Sequence, residues 1–198
     1  MKDTDSIELL IEALGNPDLM KREAAALAIF RRGLELARPA VDLWMADAEF
    51  KRILVFQALA TPVATVGVAV QPNNFERIRS ANGSPPLGVV PPDQDAKEFE
   101  LHFGDEVRLD ILTTREPEGA GAIARFLGKF GEGIQQIELL AHDVDLATSI
   151  LQTRFSQAPI FPATRPGADG TRVNFFLVTT LQGKKVLIEL VEEVSRRS

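Results

Sequence analysis

The chain has 198 residues, 45% of them hydrophobic, and a formal net charge of −6. This length allows one large or two small domains. The sequence contains no cysteine, which excludes disulfide bonds, thiolate metal sites and a cysteine nucleophile. The acidic balance argues against a broad nucleic-acid surface, because phosphate binding needs clustered cations. No apolar run approaches the ~20 residues that cross a bilayer, and the polar, acidic start is unlike a secretory signal. We therefore expect a cytoplasmic protein that binds neither nucleic acid nor membranes.

The first region, residues 1–58, has the patterns of helices. An apolar residue recurs at the spacing of one helix face in Ile7, Leu10, Ile11 and Leu14. Gly15-Asn16-Pro17 is expected to end this helix. The segment KREAAALAIFRR predicts a second helix that ends at Gly33, and Pro39 suits the first turn of a third. The segment AEFKRILVFQAL predicts a fourth helix.

Part of this region, LIEALGNPDLMKREAAALAIFRRG, resembles a HEAT-type helical repeat with its Asn-Pro-Asp turn and following basic residues. The resemblance covers roughly one repeat and part of another, whereas such arrays need about three units to bury their faces. We therefore expect these helices to pack on the rest of the chain as a cap. The alternative is an arm, residues 1–58, that docks a protein partner.

From about Thr61 the pattern changes to short strands separated by turns. PVATVGVAV is a valine-rich strand, and KEFELHF and EVRLDILTT form a predicted hairpin around Gly104-Asp105. A helix, GAIARFLGKFG, leads to the strand IQQIELLAHD, the helix DLATSILQTRF and the strands TRVNFFLVTT and KKVLIELVEEV. The same order of elements thus occurs twice. This internal repeat aligns Thr65 with Gln136, and it aligns another pair of polar residues, Asp110 and Glu189.

These segments resemble the vicinal oxygen chelate superfamily, which includes glyoxalase I, the bleomycin-resistance proteins and the extradiol dioxygenases. The closest resemblance is to the methylmalonyl-CoA epimerases. It runs from about residue 62 to 193 and is strongest in VPPDQDAKEFELHFGD, GAIARFLGKFGEGIQQIELLAHDVD, PGADGTRVNFFL and VLIELVE. The resemblance implies an α+β fold in which two βαβββ modules form a cup-shaped sheet over residues 61–198. A small all-α region, residues 1–58, would precede this domain.

The resemblance also implies where a metal ion and a proton-transfer group would lie. The four metal-ligand positions of the superfamily correspond to Thr65, Asp110, Gln136 and Glu189, so a hydroxyl and an amide replace two histidines. The acid/base glutamate of the epimerases corresponds to Asp93. Oxygen ligands favour magnesium or manganese over zinc. We expect no cofactor, and a retained site would take Mg²⁺, Mn²⁺ or Co²⁺.

Three more polar residues are candidates for the substrate cavity: Arg108, Asp169 and Asn174. Arg108 shares a strand face with Asp110, because successive strand side chains point to opposite sides. Asp169 stands where the superfamily often has a histidine, and Asn174 lies in the strand that follows it.

We expect a small-molecule-binding protein that holds its ligand in the cup without the metal-dependent activity of the family. One alternative is a metal-dependent isomerase or lyase that acts on an acyl-CoA or an α-keto compound. The other is a scaffold or regulatory protein whose helices dock a partner. Because the superfamily often pairs modules between chains, we also expect a homodimer.

Overall fold

Three helices open the described part of the chain, which in the computed structural model comprises residues 6–57, 61–180, 183 and 185–192. They are α1 (Ile7–Leu14), α2 (Leu19–Met45) and α3 (Ala48–Ile53). Among the described residues, no helix combines the length and the apolar composition that a bilayer span requires.

Helix α2 runs through both Gly33 and Pro39, so the prediction of two separate helices was wrong. A glycine and a proline inside a helix cost about 1 and about 3 kcal/mol relative to alanine. Tertiary packing outweighs this cost, because α2 buries side chains on both sides of these residues. They include Ala25, Ala26, Ile29, Phe30, Ala37, Val41 and Trp44.

The predicted fourth helix was too long, because α3 ends at Ile53. The backbone then becomes extended, and two of the next residues form β-bridges: Leu54 with Ala141, and Phe56 with Pro62. Residues 58–60, the end of the predicted helix, lie outside the described residues.

The remaining elements form two modules of similar topology. Module 1 comprises β1 (Ala64–Ala69), α4 (Pro72–Ala81), β2 (Ala96–Phe103) and β3 (Val107–Thr114), and α5 (Ala122–Phe130) follows it. Module 2 comprises β4 (Gly133–Leu140), α6 (Val144–Phe155), β5 (Arg165–Pro166), β6 (Arg172–Thr179) and β7 (Lys185–Glu192).

The strand pairing is the same in both modules. In module 1, β1 pairs with β3 in parallel, and β2 pairs with β3 antiparallel. In module 2, β4 pairs with β7 in parallel, β6 pairs with β7 antiparallel, and the short β5 pairs with β6. At the place of β5, module 1 has an extended segment whose Gly88 N–H donates to the Glu98 carbonyl at 3.0 Å. The predicted α+β class and the duplicated arrangement are therefore confirmed.

The chain divides into two compact units, and the division falls within α2. One unit combines the residues up to Gly33 with Thr65–Gln135, and the other combines Leu34–Ala64 with the residues from Gln136 onward. Each unit therefore contains helical residues from the N-terminal region as well as one module.

In the first unit, side chains of α4 fasten the end of α1. Arg77 Nη1 donates to the Glu12 carbonyl at 2.8 Å, and Asn82 Nδ2 donates to the Leu14 carbonyl at 3.0 Å. The Glu12 carbonyl also accepts from the Gly15 N–H at 3.1 Å, whereas Asn82 reaches the carbonyl of the last residue of α1, where a helix leaves carbonyls without an internal partner. The prediction of a HEAT-like repeat is not confirmed.

Each module buries most of one sheet face, because its apolar residues alternate with the period of a strand. In module 1 this face includes Phe99, whose ring packs on that of Phe75 of α4 with the centroids 4.8 Å apart. In the second unit it includes Phe176, whose ring lies 6.1 Å from that of Trp44 in α2. The opposite face of each module carries the polar residues of interest.

A small ionic network in the second unit connects α6 with β6 and β7. The Arg172 guanidinium contacts the Asp145 carboxylate and both Glu192 carboxylate oxygens, the latter at 3.2 Å. Hydrogen bonds from Thr164 and Arg172 hold the pKa of Asp145 below its usual value. Glu192 also accepts from the Val144 N–H at 2.8 Å, which satisfies a free donor in the first turn of α6.

Candidate functional site

The central feature of module 2 is a hydrogen-bonded group of Gln136, Glu138 and Glu189. Strand register brings them together, since Glu138 and Glu189 are direct partners on the parallel strands β4 and β7. Gln136 lies two residues before Glu138, so both side chains point to the same sheet face. Gln136 and Glu189 are 9% and 8% exposed, and Glu138 is half-buried.

The amide of Gln136 presents its nitrogen to both acids. Its Nε2 donates to Glu189 Oε2 at 2.7 Å and to Glu138 Oε1 at 3.0 Å. A primary amide has two N–H hydrogens on one nitrogen, so one donor group serves the two carboxylates. Charge-assisted bonds of this kind are the stronger class of protein hydrogen bonds.

Apolar side chains surround this group on the same face. Phe175 of β6 is the direct partner of Glu189, and Leu187 and Val191 flank Glu189 along β7. The ring of Phe175 packs edge-on against Phe161 at a centroid distance of 5.9 Å. The face thus combines three polar groups with an aromatic and aliphatic surround, which is typical of sites for small organic ligands.

In module 1, the corresponding face carries Asp110, which is 5% exposed. Gly67 of β1 is its register partner, and Thr65 lies two residues before Gly67 on the same face. Thr65 therefore occupies the same register position relative to Asp110 as Gln136 does relative to Glu189 in module 2. The registers support the alignment of the internal repeat. Arg108 shares this face and is half-buried.

The structure does not bring Asn174 to this face, which corrects its assignment to the substrate cavity. Asn174 is the register partner of Leu190, next to Glu189, so its side chain points to the opposite side of the sheet. It is fully buried, its Nδ2 lies 3.5 Å from Thr148 Oγ1 of α6, and its Oδ1 accepts from the Phe175 N–H. Asn174 therefore joins the sheet to α6.

The two predicted turn acids, Asp93 and Asp169, are both exposed. Asp93 lies in the 3-10 turn Pro92–Gln94, and Asp169 in the 3-10 turn Ala168–Gly170. Each turn precedes the second-last strand of its module, which again supports the repeat. Exposure deprives Asp93 of the buried setting by which proteins adapt a carboxylate to abstract a proton from carbon.

Two acids with close contacts in the structure, Glu138 and Asp95, were not predicted from the sequence. Glu138 could have been found from strand alternation alone, because it stands two residues after Gln136. Asp95 occupies a left-handed conformation with φ +47°, and its Oδ2 accepts from Thr114 Oγ1 at 3.2 Å. The loop before α5 approaches Asp95 so closely that a Cβ at Gly121 would lie 2.6 Å from its Oδ2. No local pattern predicts that approach.

The donor set does not fit the family's transition metal ion. Imidazole is missing from the positions that the sequence resemblance assigned to metal ligands, and an amide ligand would have to turn its oxygen toward the cation, whereas Gln136 turns its NH₂ group toward Glu189. Across the part of the chain that the structure describes, no group of three or more His, Cys, Asp or Glu side chains could hold a metal ion.

No protein-family model matches the sequence, and no curated protein is significantly similar to it. Solved structures do match. Methylmalonyl-CoA epimerase from Mycobacterium tuberculosis is 28% identical, with a TM-score of 0.56 over 71% of this chain and 95% of that one. A variant of the Streptomyces coelicolor epimerase in complex with 2-nitronate-propionyl-CoA is 21% identical, with a TM-score of 0.54 over 68% and 99% of the two chains. A methylmalonyl-CoA epimerase in complex with methylmalonyl-CoA and NH₄⁺ is 22% identical, with a TM-score of 0.54 over 68% and 96%.

The fold is the glyoxalase fold. The prediction of a vicinal oxygen chelate fold is therefore confirmed, and the similar structures are epimerases, as the sequence resemblance implied. A particular likeness to bleomycin-resistance proteins is not confirmed. Identities at this level establish the architecture, so the activity has to be argued from the site.

Proposed function

We propose that this protein binds a small organic ligand on the polar face of module 2 and that it does so without a transition metal ion. The observation that carries the proposal is the orientation of Gln136. Its NH₂ group donates to Glu189 and Glu138 at the position where the family places an imidazole ligand. The site is therefore arranged around hydrogen bonds, with apolar surface beside them.

The ligand class that we propose is an acyl-CoA thioester. Support comes from the similar epimerases, which were solved with methylmalonyl-CoA and with 2-nitronate-propionyl-CoA. The face of module 2 suits a short acyl group, because Phe175, Leu187 and Val191 are apolar neighbours of the polar residues.

The proposal does not include epimerisation. Removal of a proton next to a thioester carbonyl produces an oxyanion that a Lewis acid or preorganised donors must stabilise. The predicted acid/base residue, Asp93, is exposed, and the amide of Gln136 is already bonded to two acids. These observations disfavour the alternative of a metal-dependent isomerase or lyase. A homodimer and a protein partner for residues 1–58 stay predictions.

Thermal unfolding with and without ligand tests the proposal. The full chain in EDTA is mixed with propionyl-CoA or methylmalonyl-CoA, and free CoA serves as the ligand control. A ligand present at about 100 times its Kd stabilises the folded state by about 2.7 kcal/mol. For a chain of this size, that corresponds to a rise in Tm of roughly 5–10 °C.

Phe175→Ala should reduce the rise in Tm because it removes apolar surface on which the acyl group would pack. Asn174→Ser, on the opposite face, should keep it. Isothermal titration should then give a measurable Kd in EDTA. If no acyl-CoA changes Tm or releases heat, the proposed ligand class is wrong. If binding appears only after Mn²⁺ or Co²⁺ is added, the metal-independent part is wrong.

A further inference from the structure

We infer that the side-chain amide of Gln136 substitutes for a cation in module 2. Its NH₂ group supplies the positive end of a dipole between Glu138 and Glu189, so the face has no need of a metal ion to tolerate two neighbouring acids. The inference concerns the charge balance of the protein itself and does not depend on the identity of the ligand.

The first argument is the cost of the acid pair. Glu138 and Glu189 are direct partners on adjacent strands, and like charges in such positions destabilise a sheet. Glu189 is also 8% exposed, and a carboxylate removed from water needs strong compensating partners. A donor shared by the two acids lowers both of these costs.

The second argument is geometric. Gln136 Nε2 lies 2.7 Å from Glu189 Oε2 and 3.0 Å from Glu138 Oε1. One nitrogen thus lies within hydrogen-bonding distance of both carboxylates, in the place that a cation shared by them would occupy. An amide that ligated a metal ion would present oxygen instead, so this orientation is incompatible with a shared cation at the same place.

The third argument is the comparison with module 1. The residue of β1 that corresponds to Glu138 is Gly67, so the register partner of Asp110 has no side chain. Module 1 has no carboxylate facing Asp110 from β1, and the acidic partner of Asp110 on β2, Glu100, is exposed and hydrogen-bonded to His102. The residue that corresponds to Gln136 is Thr65, which carries no NH₂ group. The NH₂ donor and the facing acid thus occur together in module 2.

A direct test replaces the donor with an acid of the same shape. Gln136→Glu removes both N–H groups and leaves three carboxylates on one face, which is a hard-oxygen set suited to Ca²⁺ or Mn²⁺. The control is Gln135→Glu, which adds the same charge at the preceding residue. There the side chain points to the other side of the strand. Tm is measured for each protein in EDTA and at saturating Ca²⁺ or Mn²⁺.

We expect the Tm of the wild-type protein to be the same in both conditions. Gln136→Glu should melt roughly 5–10 °C lower in EDTA, an order of magnitude expected for loss of charge-assisted bonds, and most of this loss should be recovered with the cation. Gln135→Glu should show no recovery. A wild-type protein that binds Ca²⁺ or Mn²⁺ stoichiometrically would overturn the inference. Equal cation responses of the two variants would also overturn it.

A measurement on the wild-type protein covers the case in which Gln136→Glu does not fold. Nuclear magnetic resonance can follow hydrogen exchange of glutamine side-chain NH₂ groups, with the exposed Gln152 of α6 as the reference. The NH₂ hydrogens of Gln136 should exchange at least tenfold more slowly than those of Gln152. Exchange at equal rates would show that the amide does not hold the acids, and the inference would fail.

Discussion

Leu14→Ala provides a sharp test of whether α1 is part of the folded core of its unit. Leu14 is 0% exposed, and it lies at the end of α1 where Asn82 of α4 donates to its carbonyl. Truncation of a fully buried leucine costs about 2–5 kcal/mol of unfolding free energy, because a cavity adds to the lost transfer energy. We expect a loss of about 3 kcal/mol and a fall in Tm of roughly 6–12 °C.

Leu9→Ala is the matched control, since Leu9 lies on the same helix and is 57% exposed. Both substitutions replace leucine by alanine in α1, and the propensity difference between these residues is only a few tenths of a kcal/mol, so the difference between the variants reports mainly burial. Urea unfolding followed by circular dichroism gives both free energies, and a larger slope with unchanged stability would indicate a different denatured state. If the two variants are equally stable, α1 does not belong to the core, and the alternative of a free docking arm gains support.

Three further predictions follow from contacts elsewhere in the chain. Gly121→Ala should destabilise the protein by about 1–3 kcal/mol through overpacking, since the new Cβ would lie 2.6 Å from Asp95 Oδ2 and 3.0 Å from Asp95 Cβ. Asp95→Gly, which removes both atoms, should relieve most of this in a double-mutant cycle. Hydrogen bonds, above all the one from Thr164, lower the pKa of Asp145. The stability that the ionised Asp145 contributes is therefore present above the unfolded pKa and is lost as pH falls through the folded pKa. When stabilities are normalised at neutral pH, wild type should therefore unfold at higher pH than Asp145→Asn, because only wild type loses this contribution on acidification; coincident curves would contradict this. Asn174→Ala should lower the free energy of unfolding by about 1–3 kcal/mol without changing the Kd for an acyl-CoA. A higher Kd would indicate that Asn174 contacts the ligand after all.

Much of the architecture was predictable because strands and turns leave short-range patterns. The alternation in RLDIL and LIELV, the glycines between strands and the repeated order of elements all depend on residues close together in sequence. The same patterns placed Asp110 and Glu189 at corresponding positions, and the strand registers support that placement.

The long helix α2 shows where such patterns fail. Gly33 and Pro39 are valid local signals for a helix end. They were overruled because the packing of residues such as Ala37 and Trp44 along α2 is a long-range gain that a local pattern does not contain.

The orientation of Asn174 was ambiguous for a related reason. In TRVNFFLVTT, both possible faces are rich in apolar residues, so alternation does not say which of them meets a helix. Pairing with β7 decided the matter by placing Asn174 opposite Leu190 on the side of α6.

By itself, the sequence determined the two-module plan and the corresponding places of Asp110 and Glu189 on the last strands of the two modules. Only the tertiary structure showed that one amide nitrogen stands between Glu138 and Glu189. The physical reason is that Gln136 and Glu189 are far apart in the chain, and a hydrogen bond between them exists only after parallel pairing of β4 with β7 has set their register. Composition shows which donors are available, and register decides which groups they meet.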